Sequence, residues 1–270
     1  MTSILSPLTN IYRTPHRSTP ALFRRHATSF FYPQVLTIVF AASRLAKRGR
    51  YGSADWVRSS LNTIRALESV GGRFEIENML AVSRIDSACV FIANHMSVLE
   101  TFVLPCLIQP RRDVTFVVKE SLIAYPFFKH VMRSRDPVVV GRTNPRQDLR
   151  AVLDGGRKLL DRNVSVVIFP QTTRSVDFNP ANFNTLGVKL ALRANVPVVP
   201  VALKTDAWGL GRKLKDFGRI CPEKTVHICF GEPLRIKGSG KETHNKVVDF
   251  IQGKLKAWQY GNGERIRAVG

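Results

Sequence analysis

At 270 residues the chain is long enough to bury one substantial core, and 41 Lys plus Arg against 20 Asp plus Glu give it a formal charge of +21. That excess draws a protein to polyanions, either nucleic acid or an anionic bilayer, and favours phosphate-bearing substrates; without a helix-turn-helix, zinc-finger or aromatic-rich single-strand signature, no nucleic acid partner is expected. The four cysteines, Cys89, Cys106, Cys221 and Cys229, form no Cys-x-x-Cys pair and have no partnered histidine, which points to reduced, buried thiols rather than a zinc site or a disulfide framework.

The first 50 residues hold eight basic side chains (Arg13, Arg17, Arg24, Arg25, Arg44, Lys47, Arg48, Arg50) and no acid. Between the basic clusters, Phe30 to Ala42 is an apolar run too short and too interrupted to span a bilayer, which takes about 18 to 20 apolar residues. Aromatics at one end and cations at the other suit a helical segment lying at the membrane interface; the alternative is a helix packed on the protein's own core. Residues 1–28, rich in Arg, Ser and Thr, also fit an organelle transit peptide. Residues 1–50 are therefore set apart as a membrane-associating segment, and residues 51–270 as one domain.

Asp55 to Val70, with Trp56, Leu61, Ile64 and Leu67 at near-helical spacing and Gly71-Gly72 behind, predicts an amphipathic helix with a C-terminal stop. Strands are predicted near Arg73–Glu77 and Ala88–Ala93, then a helix from Val98 to Ile108 and a strand over Val114–Val118. Arg146–Arg162 predicts a helix despite Gly155-Gly156. Ser165 to Pro170, SVVIFP, is a short strand that delivers the polar loop Gln171-Thr172-Thr173-Arg174-Ser175. A helix over Thr185–Ala194, a strand over Val196–Leu203, a late strand over Thr225–Phe230 and a helix over Lys241–Trp258 complete the pattern. Alternation of this kind predicts an α/β fold: a single domain with a mixed, mostly parallel sheet flanked by helices, preceded by the membrane-interfacial segment.

The most informative residues are Asn94-His95-Met96-Ser97-Val98-Leu99-Glu100, which place a histidine at a strand exit five positions ahead of a carboxylate. An imidazole has the intrinsic pKa to take a proton near neutral pH, and a carboxylate on its far nitrogen fixes the tautomer and steadies the imidazolium. Ser97 with Glu100 is also a capping-box pattern; a carboxylate in the first helical turn can both cap and reach the imidazole. No Ser or Cys sits in a nucleophile-elbow setting, so the proton comes from a substrate hydroxyl. Arg174 offers a planar fork of donors suited to phosphate.

In this order and spacing, these segments resemble the glycerolipid acyltransferase family that includes 1-acylglycerol-3-phosphate acyltransferases. The family carries His-x-x-x-x-Asp, often within Asn-His-x-Ser, and His95 and Glu100 fall on its two catalytic positions. Val138-Val139-Val140-Gly141-Arg142 looks like its second block. Phe169, Pro170, Thr173, Arg174 and Ser175 match its Phe-Pro-Glu-Gly-Thr-Arg-Ser block, and Val196 to Val201 its Val-Pro strand. Lys119-Glu120-Ser121-Leu122 resembles a Lys-containing segment between the first two blocks. The likeness spans about residues 73–235. Three positions depart: Glu100 replaces Asp, Gln171 replaces Glu, and Thr172 replaces Gly.

The resemblance implies transfer of an acyl group from acyl-CoA or acyl-carrier protein to the free hydroxyl of a lysophospholipid, 1-acylglycerol-3-phosphate giving phosphatidate; the alternatives are a non-catalytic anionic-lipid- or nucleic-acid-binding protein, or an acyl thioester hydrolase. His95 would be the base and Glu100 its orienter. Arg142 and Arg174, with Lys119, would hold the acceptor phosphate within a site that includes Gln171, Thr173 and Ser175. Backbone amides near the His95 turn or the Thr172 loop would stabilise the oxyanion. No cofactor beyond the thioester co-substrate and no metal is expected, and the protein is placed at the cytoplasmic face of a membrane, or at an organelle membrane after transit-peptide removal.

Overall fold

The structure, a computed structural model, describes residues 4–267 apart from positions 5, 7, 17, 126, 127, 142, 172 and 213, with side chains through position 259. In chain order, β1 (Tyr12–Arg13), α1 (Ala21–Arg25), α2 (Ala27–Lys47) and α3 (Ser53–Ser69) lead to β2 (Phe74–Glu77), β3 (Val90–Ala93), α4 (Leu99–Ile108) and β4 (Val114–Lys119). Two short helices, α5 (Glu120–Ala124) and α6 (Lys129–Arg133), precede β5 (Val138–Val140), α7 (Pro145–Asp161), β6 (Ser165–Ile168) and α8 (Leu186–Ala194). The chain closes with β7 (Val198–Lys204), β8 (Val226–Phe230) and α9 (Lys241–Arg267).

The strands form one sheet in the order β1-β2-β8-β7-β3-β6-β4-β5. β3 pairs in parallel with β6 and β7, β4 with β5 and β6, and β2 with β8. Among the described strands, β1–β2 and β7–β8 run antiparallel. The mixed, mostly parallel sheet read from the sequence is the one observed.

Alternate side chains of each central strand enter different cores, which is why these strands read as unbroken apolar runs rather than alternating ones. Val90 and Ile92 of β3 face a layer built on Val152 and Leu159 of α7, Val188 and Leu190 of α8, and Val247 and Ile251 of α9. Phe91 and Ala93 face the opposite layer, with Phe31 and Val35 of α2, Ile64 and Leu67 of α3, and Leu104 of α4. The glycine pair in α7 belongs to this packing: a Cβ on Gly156 would lie 2.7 Å from the Leu190 side chain. Gly187 plays the same part for α8, where a Cβ would meet Ile92 at 2.7 Å. The cost of glycine in a helix is thereby offset by close approach. Asn144 caps α7, its side chain accepting from the amides of Arg146 and Gln147, with Pro145 at the first helical position.

The N-terminal helix differs in extent from the apolar run seen in sequence. α2 continues through Pro33 for 21 residues. Its Phe31, Val35, Val39 and Ala42 are buried in the same core as α3, while Leu36 and Phe40 point outward with Leu22 and Phe23 of α1. One face therefore meets the protein's own core and the other is apolar and exposed. Among the described residues, no helix is long and apolar enough to cross a membrane.

β3 lies between β6 and β7, so the chain leaves the three strands' carboxyl ends in neighbouring loops. Such a crevice is where α/β sheets place their ligands.

Candidate active site

His95 leaves the end of β3 two residues after Ala93, and the turn that follows folds Glu100 back beneath it. His95 Nδ1 lies 2.9 Å from Glu100 Oε1. The same oxygen accepts the amides of Met96 at 2.7 Å and Ser97 at 2.9 Å. The second oxygen, Oε2, accepts the Ser97 amide and hydroxyl at 3.1 and 3.0 Å and the Thr205 hydroxyl at 2.6 Å. Glu100 is fully buried. It thus ties down the amides of the turn ahead of α4 and holds the imidazole, while α4 itself begins at Leu99 after Val98 without a side-chain cap.

Burial works to raise the Glu100 carboxyl, but the hydrogen bond and charge of His95, the Thr205 hydroxyl and a backbone amide outweigh it and hold the group below the ordinary carboxylate range. An ionised Glu100 fixes the proton on His95 Nδ1 and leaves Nε2 with a lone pair. The imidazole is stacked on Phe169, ring centroids 4.3 Å apart, so its plane is set by packing as well as by Glu100. Its side chain keeps 14% of its surface accessible.

The loop after β6 clamps the backbone of His95 from both sides. Gln171 Oε1 accepts the His95 amide at 2.6 Å, and the Ser175 amide donates to the His95 carbonyl at 3.0 Å. Gln171, read from sequence as a substrate-binding position, is buried in that role. An uncharged amide oxygen fills it fully, which explains how Gln stands where relatives of the resembling family have Glu. The amides of His95, Met96 and Ser97 are therefore engaged within the protein, and the Thr172 alternative for the oxyanion lies outside the described residues.

Thr173 is exposed, its hydroxyl 3.5 Å from Lys215 Nζ. Arg174 follows β6, the strand beside β3, and its Nη2 lies 2.5 Å from Asp216 Oδ1. Arg174 Nη1 is buried without a hydrogen-bond partner among the described residues. Lys119 is exposed at the end of β4, in register with Val140 of β5. That places it two strands from β3, about 10 Å across the sheet at the usual strand spacing. Arg142 lies outside the described residues; β5, which it follows, is three strands from β3.

Cys89, Cys106 and Cys229 are buried, while Cys221 is partly exposed. Burial pushes the thiols of Cys89 and Cys229 up to about 11 and Cys106 up to about 12, far from thiolate character at neutral pH. Two partners of the candidate residues escaped the sequence reading, Thr205 beside Glu100 and Asp216 beside Arg174, because a lone Thr beyond a strand and a lone Asp in a loop carry no motif.

A family profile for acyltransferases matches residues 73–204, from β2 to the end of β7. Over that segment the chain is similar to acyltransferases. A 1-acyl-sn-glycerol-3-phosphate acyltransferase of Pseudomonas aeruginosa is 25% identical over 221 residues, 81% of this chain and 80% of the relative. One of Cocos nucifera is 29% identical over 168 residues, 62% of this chain and 52% of its own length. The crystal structure of a 1-acyl-sn-glycerophosphate acyltransferase from Thermotoga maritima superposes with a TM-score of 0.67 at 17% identity, over 88% of this chain and 97% of that one, which shows the shared fold.

Proposed function

We propose that this protein is an acyltransferase that moves a fatty acyl group from a thioester, acyl-CoA or acyl-carrier protein, to the free hydroxyl of a lysophospholipid, with 1-acylglycerol 3-phosphate as acceptor and phosphatidate as product. The observation that carries the reading is the 2.9 Å contact of His95 with a fully buried, multiply bonded Glu100. The names of the Pseudomonas and Cocos relatives support the acceptor. His95 Nε2 takes the hydroxyl proton as the oxygen forms its bond to the thioester carbonyl carbon. The carbon–sulfur bond then breaks, and the imidazolium returns the proton to the leaving thiolate. Glu100 steadies the imidazolium throughout. No covalent enzyme intermediate or cofactor enters.

Arg174, with Lys119 and Arg142, holds the acceptor phosphate. For Arg174 this means that an anionic headgroup competes with Asp216 for one guanidinium. The acceptor arrives from a membrane surface, and the exposed Leu22, Phe23, Leu36 and Phe40, flanked by Arg24, Arg25, Arg44 and Lys47, give the N-terminal helices the composition of an interfacial anchor at a cytoplasmic or organelle membrane face.

Two experiments test these assignments. Purified protein is given labelled acyl-CoA or acyl-carrier protein with a panel of lysolipids; phosphatidate formed from 1-acylglycerol 3-phosphate supports the reading, and fatty acid released without acceptor dependence contradicts it. For the membrane, removing residues 1–50 would strip Phe31 and Val35 from the core, so Leu36→Asp with Phe40→Asp is the cleaner probe. That pair is expected to weaken sedimentation with anionic vesicles while leaving activity on a monomeric acceptor; unchanged sedimentation would remove α2 from the interface.

A further inference from the structure

Thr205 lies one residue beyond the segment matched by the family profile, just after β7, and is fully buried. Its hydroxyl makes the shortest of the hydrogen bonds to Glu100, 2.6 Å to Oε2, while its oxygen accepts from the Ser97 hydroxyl at 3.0 Å. The rest of the residue is fixed as well. Its amide donates to Met96 Sδ at 3.3 Å, and its carbonyl accepts the Trp208 amide at 3.2 Å. Two positions earlier, Leu203 is bound in both directions by the Asn94 side chain, amide to Oδ1 and carbonyl to Nδ2, each 2.8 Å. Asn94 thus continues the β3–β7 ladder by one side-chain step and locks the end of β7 to the residue before His95.

We propose that Thr205 is a positioning residue of the acyl transfer: its hydroxyl fixes the plane of the Glu100 carboxylate so that Oε1 stays aimed at His95. The inference rests on the His95–Glu100 reading above and deepens it. A Glu has one more rotatable bond than the Asp of the resembling family, so its carboxylate has an extra torsion to be arrested. The amides of Met96 and Ser97 grip mainly Oε1 and leave rotation about the last bond to be stopped at Oε2. A β-branched threonine, restricted at its first torsion, supplies a rigid donor there. The other groups that face the carboxylate are His95, itself the partner to be held, and the Ser97 hydroxyl and amide, which move with the same turn. Thr205 alone among these anchors lies outside the His95–Glu100 turn, directly after β7, and so ties the dyad to the sheet.

The test is steady-state kinetics on four variants, Thr205→Val, Thr205→Ser, Glu100→Gln and the Thr205→Val/Glu100→Gln pair, with Thr205→Val as the near-isosteric replacement. Loss of a hydrogen bond to a buried carboxylate is expected to lower kcat about tenfold, with the KM of acceptor and thioester both within about twofold of wild type. Thr205→Ser, which keeps the hydroxyl, should recover most of the loss. In a Glu100→Gln background, Thr205→Val should add almost nothing, because both act through one group. Wild-type kcat in Thr205→Val, an equal loss in Thr205→Ser, or fully multiplicative losses in the double variant would each overturn the proposal. If Thr205→Val does not fold, Thr205→Ala replaces it in the same cycle, with the Ser variant as its reference. Full activity in Glu100→Gln alone would instead defeat the dyad reading on which the proposal rests.

Discussion

Glu100 follows β3 and Arg174 follows the neighbouring β6, yet the two charged groups are held in opposite ways. The carboxylate is fully buried and takes bonds from His95, Ser97, Thr205 and two backbone amides. The guanidinium is partly exposed and is met by one carboxylate, on a half-exposed Asp216. Lys119 at the end of β4 is exposed. A proton-transfer group gains from rigidity, since misplacement by a fraction of an ångström slows the chemistry, whereas a headgroup site has to exchange internal partners for the ligand's phosphate. On the proposed function, the chemical half of this site is preorganised and the recognition half is adjustable.

The harshest way to break that contrast is at the base itself. His95→Ala removes the proton acceptor from a turn whose backbone bonds to Gln171 and Ser175 remain, so the fold should persist while kcat falls by roughly two to four orders of magnitude. Circular dichroism and turnover on one sample check this, and near-wild-type turnover would exclude His95 as the base.

Glu100→Gln should come next, with a loss of about ten- to a hundredfold in kcat and about 1–3 kcal/mol of stability, because the new amide group faces donors that it cannot accept from. The pH dependence sharpens the point. The folded carboxyl sits below its unfolded value, so the ionised group contributes stability that is complete above the ordinary carboxylate pKa and is lost as pH falls through the folded one. Stability measured by thermal melts should therefore decline more in acid for wild type than for Glu100→Gln; parallel curves would mean that the ionised carboxylate contributes nothing.

On the recognition side the effects should be smaller and should fall on KM. Arg174→Lys replaces a fork with a point charge and should raise the acceptor KM about tenfold, leaving the thioester KM nearly unchanged. Asp216→Asn should shift the acceptor KM by only about two- to threefold, downward, since it releases Arg174 from an internal competitor. A rise confined to the thioester KM in Arg174→Lys would move that arginine from the acceptor to the phosphates of the acyl donor.

The same contrast governs how much could be read in the sequence. Strands buried on both faces announce themselves as β-branched runs, and Val90–Ala93, Ser165–Ile168 and Val198–Lys204 fall within or beside the predicted stretches. The dyad was legible because both partners lie within one turn of chain, where spacing alone brings them together. Thr205 was not, because its contact with Glu100 spans 105 positions and exists only through the β3–β7 pairing. Gln171 appeared as a headgroup contact since its neighbours in sequence are loop residues, but its side chain turns inward to His95. Residues 1–50 read as a separate segment by charge, whereas one face of α2 shares the core of α3, a fact set by which side chains are buried and not by their composition. The short β1, α1, α5 and α6 lack the length for periodicity to show.

The most direct test of the central claim is a single-turnover experiment in which enzyme, a radiolabelled acyl thioester and 1-acylglycerol 3-phosphate are mixed and the label is followed into lipid. The account predicts that label appears in phosphatidate without passing through a protein-bound ester, and that His95→Ala abolishes it. Label accumulating on the protein, or appearing as free fatty acid at the same rate with and without acceptor, would contradict direct transfer by the His95–Glu100 pair.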